Sequence, residues 1–281
     1  MRTNKLIIYI ALFTGLISAC KEEAREGLMD APDKAKIAVI HTASPTRPTA
    51  TTLTMFPVGH FYSIDGKLMF SQPLVSNRTT GYQLVEPGSR VLTFDTVSAV
   101  NNTNNALPRA NVKTVTINAA ANTYHSVYLS GKAQQPEVLV TTDDLSRPAQ
   151  GKAKIRFVHL SPDGTAVDFA GAKSTIATRP ILIGNRTYNT SSDFISIDEG
   201  FYTFELRNAG TSTVITTQSR SGDIVPQLGV VSTVNVQNFN QLIEPGKIYT
   251  FISRGYVNPS RTVVGQPVFP LSVTGVVNSY F

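Results

Sequence analysis

The sequence predicts an all-β protein, and three observations carry that expectation. Thr, Val, Ile, Tyr and Phe recur in short runs broken by clusters of Gly, Pro, Asn and Asp, the punctuation of a sandwich. Two runs, Val112–Asn118 and Gly229–Phe239, carry stretches of period-2 alternation, which places successive side chains on opposite faces of a strand. Finally, the strand signature occurs twice. Lys34-Ala35-Lys36-Ile37-Ala38-Val39-Ile40-His41 returns as Lys152-Ala153-Lys154-Ile155-Arg156-Phe157-Val158-His159, each soon followed by Ser-Pro. Helical signals are nearly absent after residue 33. Two tandem immunoglobulin-like β-sandwich domains are the economical architecture.

Taken in chain order, residues 1–19 read as a cleaved signal peptide. Arg2 and Lys5 precede an apolar run from Leu6 to Ser18 that is too short to cross about 30 Å of hydrocarbon, and small residues lead to Cys20. Leu16-Ile17-Ser18-Ala19-Cys20 resembles the bacterial lipobox, which implies that Cys20 receives a diacylglyceryl group and becomes the acylated first residue of the mature chain. Lys21-Glu22-Glu23 is similar to the export signal of Bacteroidetes lipoproteins, implying an outer-membrane, cell-surface location; the alternative faces the periplasm. Residues 20–33 then form a lipidated tether about 20 Å long when flexible.

The first domain is placed at 34–148 and the second at 152–281, separated by the turn-forming Ser146-Arg147-Pro148-Ala149-Gln150-Gly151. Their order of elements is shared. Tyr82–Gly88 lines up with Phe194–Gly200, Asn122–Val127 with Gly246–Phe251, and Gly131 and Gly255 close the corresponding strands. In each opening strand Ile37, Val39 and His41, or Ile155, Phe157 and His159, share one face.

Composition excludes several classes. The mature chain carries 23 cations against 19 acids once Arg2 and Lys5 leave. The nearest thing to a basic cluster, Arg147, Lys152, Lys154 and Arg156, lacks interleaved aromatics, so no nucleic-acid partner is expected and a solvated surface accounts for it. With Cys20 as the single cysteine there is no intramolecular disulfide.

No catalytic set is legible. One repeated histidine per domain supplies neither a metal centre nor a triad, and its ring is expected to pack at the sheet end against the Ser-Pro turn; His60 and His125 have no counterpart in the other copy. Asp163 and Asp168 flank a glycine turn as in some calcium loops but lack the further acids of an EF-hand; a capped turn is the simpler expectation and weak calcium binding the alternative. Glu86, Asp95, Glu137, Asp143, Asp144, Asp193, Asp198, Glu199 and Glu205 are available acids, most in expected turns, and nothing singles out the pair that glycoside hydrolysis requires. No Gly-x-Ser-x-Gly elbow, Walker loop or His-Glu-x-x-His stretch occurs, and no tryptophan offers a sugar-stacking face. Catalytic, cofactor and metal residues are therefore expected to be absent. Loops Thr46–Thr54 and Ser98–Pro108 are the polar insertions to consider for contacts.

Ile155 to Asp168 resembles the opening of a bacterial extracytoplasmic family known as domain of unknown function 4397. Ile64-Asp65-Gly66-Lys67-Leu68, Thr80-Gly81-Tyr82 and Glu86-Pro87-Gly88 in the first copy are similar to its middle signature. The first copy departs from the pattern after His41, and the second has Ser192-Asp193-Phe194 where Thr-Gly-Tyr is expected. The resemblance implies a β-sandwich on secreted or lipid-anchored bacterial proteins and no activity. The expectation is a non-enzymatic envelope lipoprotein serving in binding, adhesion or structure, held to the membrane through Cys20, with an extracellular glycan or protein as ligand and no cofactor. The alternative is a glycan-capture accessory protein or glycan-active enzyme.

Overall fold

The computed structural model describes residues 31–46, 59–96, 109–215, 230–232, 239–259 and 269–279. Residues 1–19, Cys20, most of the tether and the loops Thr46–Thr54 and Ser98–Pro108, Thr46 excepted, fall outside these. The regular elements are all strands.

The first half contains β1 (Ala35–His41), β2 (Gly59–Ile64), β3 (Lys67–Leu68), β4 (Leu74–Val75), β5 (Arg78–Val85), β6 (Gly88–Thr96), β7 (Ala110–Ala119), β8 (Tyr124–Lys132) and β9 (Gln135–Thr142). One sheet runs β5-β1-β8-β9 and the other β3-β2-β6-β7, with β4 also on β2. Ile37, Val39, Val127 and Leu129 from the first meet Tyr62, Ile64, Leu92, Phe94 and Ile117 from the second in one core. Period-2 alternation explains the pairing, since each strand turns alternate side chains inward. Asp65-Gly66 makes the tight link from β2 to β3: both residues have positive φ (50° and 77°), the requirement that makes Asp-Gly a favoured hairpin pair.

The second half contains β10 (Lys152–Leu160), β11 (Val167–Lys173), β12 (Ile181–Arg186), β13 (Thr190–Ser191), β14 (Ile195–Asp198), β15 (Gly200–Asn208), β16 (Val230–Ser232), β17 (Phe239–Ile243), β18 (Ile248–Arg254) and β19 (Ser272–Ser279). Its sheets are β13-β10-β18-β19-β16, with β14 also on β10, and β12-β11-β15-β17. Between them stack Phe157, Phe169, Phe204, Phe239 and Phe251. The Gly229–Phe239 run is not one strand. Its start pairs with β19 and its end with β15, in different sheets, while residues 233–238 lie outside the described set.

β1 and β10 are buried on both faces, which one sandwich alone does not produce. Their second faces pack on each other's half: Ala38, Ile40 and Tyr128 meet Val158, Leu160, Ile252 and Val276 in a third core. The four sheets are thus stacked in layers, with the two central sheets back to back. This accounts for the near-continuous apolar runs Ile37–Ile40 and Phe157–Val158, the signature of strands covered on both sides. Tyr82, opposite Ala38 in the middle of β1, bonds Asn278, while Ser44 bonds Phe269 beyond its end, so the two halves align end for end. The end where β1 begins is called the entry end here, and the opposite one the far end.

Gly255 closes β18 with φ +82°, and a Cβ added there would sit 2.2 Å from the Pro270 carbonyl oxygen. Gly255→Ala is expected to destabilise the protein by at least about 1–2 kcal/mol, because strained φ and a backbone clash coincide. Gly81→Ala, with positive φ but open space, is expected to cost less; urea midpoints measure both.

Candidate functional site

The residues that join the halves make up the most developed polar arrangement among those described. Arg156 points out of β10 into the seam with 1% of its surface exposed, so it is not part of a solvated basic cluster. It reaches Asp143, 5% exposed, through an ion pair, and donates to Tyr128 OH (2.6 Å), Thr250 Oγ1 (2.8 Å) and Thr141 Oγ1 (3.1 Å). Asp143 Oδ2 also accepts from Tyr82 OH and Ser126 Oγ, each at 2.6 Å, and Oδ1 from Thr141 at 2.8 Å. Asn278 completes the group, donating to Tyr82 OH (3.2 Å) and accepting from Thr250 (2.6 Å). The Phe194 ring lies 4.5 Å from the guanidinium carbon.

Burial favours a neutral Arg156, but Tyr128, Asp143 and Tyr82 more than offset it and hold the charge. Tyr82 is pushed well above the phenol range by burial and then by the Asp143 charge. Saturation of both ions with hydrogen bonds is what makes such a pair tolerable in low dielectric. Lys154 closes the rim, donating to Asp144 (2.7 Å) and Ser146 (2.6 Å), and the Lys154 bond holds the Asp144 carboxyl at about 2. Asp144 is mostly exposed, so Asp144→Asn is expected to cost under about 1 kcal/mol in the same assay. Of the four basic residues at the boundary, Arg156 and Lys154 therefore act as a clamp, whereas Arg147 is exposed and Lys152, partly exposed, pairs with Asp198 of its own half.

At the far end, His41 and His60 form a buried pair that no motif or spacing connects. His41 Nε2 and His60 Nδ1 are 2.6 Å apart, and His60 Nε2 is 2.7 Å from the Ala133 carbonyl. A carbonyl only accepts, so His60 carries its proton on Nε2 and receives one from His41 Nε2. His41 Nδ1 is then a bare lone pair, buried with no hydrogen-bond partner. Burial lowers the pKa of both rings, and neighbouring His60 lowers that of His41 further.

His159 is held differently, with Nε2 3.1 Å from Thr165 O and Nδ1 2.7 Å from Ser253 Oγ. Its bond to the loop after Ser161-Pro162 has the character expected from the sequence, whereas His41 bonds a second ring instead. The His159–Ser253 contact has the elements of a nucleophile and base, yet both residues are fully buried and a backbone carbonyl stands where a carboxylate would orient the ring. His125 bonds Thr123 at 2.8 Å.

Asp163 and Asp168 do not converge. Asp163 accepts from the amides of Val257 (2.8 Å) and Asn258 (2.9 Å), Asp168 from those of Asn185 (2.7 Å) and Gly210 (2.8 Å). Each carboxylate staples a different pair of loops, and no group of three His, Cys, Asp or Glu suited to a metal ion occurs among the described residues. Beside the seam, Tyr188 of the second half meets Ser130 of the first at 3.1 Å. Tyr256 is pushed up to about 12, by burial first and then by the Asp163 and Glu137 charges, so these two acids approach one phenol from opposite halves.

Paired sheets with polar groups consumed in joining them define a sandwich-like all-β scaffold. Residues 35–170, slightly less than half the chain, match the family model "Domain of unknown function (DUF4397)". The match begins at the first residue of β1 and ends within β11, crossing the 149–151 turn. No curated protein matches. Among solved structures, the Bacillus anthracis TIE protein is similar over 80% of this chain and 34% of its own, at 11% identity and a TM-score of 0.23. The chain spans about a third of that structure's length.

Proposed function

We propose that this chain is a lipid-anchored cell-envelope protein: residues 1–19 are removed, Cys20 is acylated, and two immunoglobulin-like copies of the DUF4397 domain form a non-catalytic module for binding, adhesion or envelope structure at the outer-membrane surface. Equivalent positions in the two halves support the duplication. β1 pairs in parallel with β8 as β10 does with β18, with Lys36 opposite Tyr124 and Lys154 opposite Ile248. Asn122 N bonds Lys34 O and Gly246 N bonds Lys152 O, both at 2.8 Å.

The observation that carries the binding reading is the end-for-end seam. It gives the module one entry end, where residue 31 leads back toward Cys20, and one far end, where the flanks of both polar loops lie: His60 pairs with Thr96, Thr96 with Ala110, and His41 touches His60. Loops carried by a rigid scaffold away from its anchor are suited to recognition. Screening residues 21–281 on glycan and matrix-protein arrays tests it: a ligand lost when Thr46–Thr54 or Ser98–Pro108 is shortened is expected, and a blank array opposes it. Protease treatment of whole cells is expected to remove the body; full protection places it facing the periplasm.

A further inference from the structure

Apolar surface is unevenly distributed over the two ends. Of the eight exposed large hydrophobic side chains among the described residues, Leu84, Val91, Ile176, Phe201 and Leu242 lie in the entry half. Leu84 faces Lys36 at the start of β1, and Val91 O receives the amide of Asp65 at the β2–β3 turn. The other three adjoin one another on the second half. Phe201 and Leu242 are cross-strand neighbours on the outer face of their sheet, 53% and 50% exposed, because alternate residues Tyr202 and Ile243 take the core. Ser174 N donates to Phe201 O at 2.7 Å, which brings the Lys173–Ile176 turn, with Ile176 49% exposed, against the pair. Lys173, directly opposite Tyr202 and lying along Gly200, turns to the inner face at the same end, so the patch itself is apolar.

We propose that Phe201, Leu242 and Ile176 form a foot that rests in the lipid interface. This rests on the anchor reading above. The occupant follows from where the remaining chain begins: Lys34 N and Lys36 Nζ both bond Ala31 O at the entry end, and the segment from Ala31 back to Cys20 reaches only about 20 Å when flexible. An acylated Cys20 therefore holds this end within reach of headgroups, where exposed aromatic and aliphatic side chains partition favourably. The foot sets which side of the body turns to the bilayer and keeps the far end outward.

The chain has no tryptophan, so a single substitution is a clean optical reporter. The acylated mature protein carrying Phe201→Trp is placed in phosphatidylcholine–phosphatidylglycerol vesicles with brominated acyl chains, and flotation is measured in parallel. Expected are a blue-shifted emission and about a twofold or greater quenching by the bromolipid, with Val257→Trp at the far end unquenched. Protein that floats while Phe201→Trp stays unquenched, or with both reporters quenched alike, overturns the foot and leaves the anchor standing. Failure to float overturns the anchor and the foot that depends on it.

Discussion

Asp143→Ala is expected to lower stability by about 3–5 kcal/mol, read as the shift in urea midpoint multiplied by the denaturant slope. Removal of the carboxylate leaves the Arg156 guanidinium in a seam where it has 1% exposure, and strips Tyr82 and Ser126 of their shared acceptor. Arg156→Met is expected to cost a similar amount for the mirror reason, an uncompensated Asp143 anion. The double variant Asp143→Leu/Arg156→Met separates pair from packing. If the ions matter chiefly to each other, it recovers most of the loss, since apolar replacement of a buried pair is often neutral. A double variant as unstable as the sum of the singles would show that the seam depends on the polar network itself. The singles should also separate the two sandwiches, giving two unfolding transitions, because the apolar part of the seam is limited to a handful of side chains around Ile40 and Ile252.

Acid lability is the second large effect. His41, His60, His125 and His159 are all lowered by burial from the ordinary imidazole value, so each binds its proton less readily folded than unfolded. The unfolded state therefore takes up more protons once the pH falls below about 6.5, and stability rises with pH in that range. The contribution is complete above about 6.5 and is lost as pH drops toward the folded values, at up to about 1.4 kcal/mol per pH unit for each histidine involved. The His41–His60 pair is the strongest contributor: a further proton has only His41 Nδ1 to occupy, a buried atom whose charging is opposed by burial and by neighbouring His60. His60→Gln keeps a donor for Ala133 O without a titrating ring, and is expected to flatten the slope of urea midpoint between pH 7 and 5 by about one proton. An unchanged slope would remove the pair from the account. Asp144, held at about 2 but largely exposed, adds little over the same interval.

Much of the fold was legible because it rests on local rules. Alternation gave β7 almost residue for residue, Asp65-Gly66 marked the β2–β3 hairpin, and the repeated Lys-Ala-Lys stretch marked β1 and β10. Glycine in closing positions was legible for Gly131 and Gly255, both left-handed in the structure. The seam was not, although Arg156 inside an otherwise apolar run was the available signal. A charged residue flanked by Ile155, Phe157 and Val158 has either a partner or a surface, and nothing in the sequence said that Asp143, on the far side of the turn, would supply the partner. The His41–His60 contact carried still less signal, because two strand ends in different sheets meet there.

By itself, then, the sequence determined the strands, the turn chemistry, the recurrence of one strand pattern, and the expectation of an acylated Cys20, all of which follow from neighbours a few residues apart or from motifs read in line. Only the tertiary structure decided which faces of those strands are covered twice, that Lys154 and Arg156 of the basic boundary residues form a clamp, and that Asp163 and Asp168 bind separate loops. The reason is that period-2 alternation specifies a face for each strand but not what lies beyond the second face, and a buried charge is settled by a partner that only packing brings near.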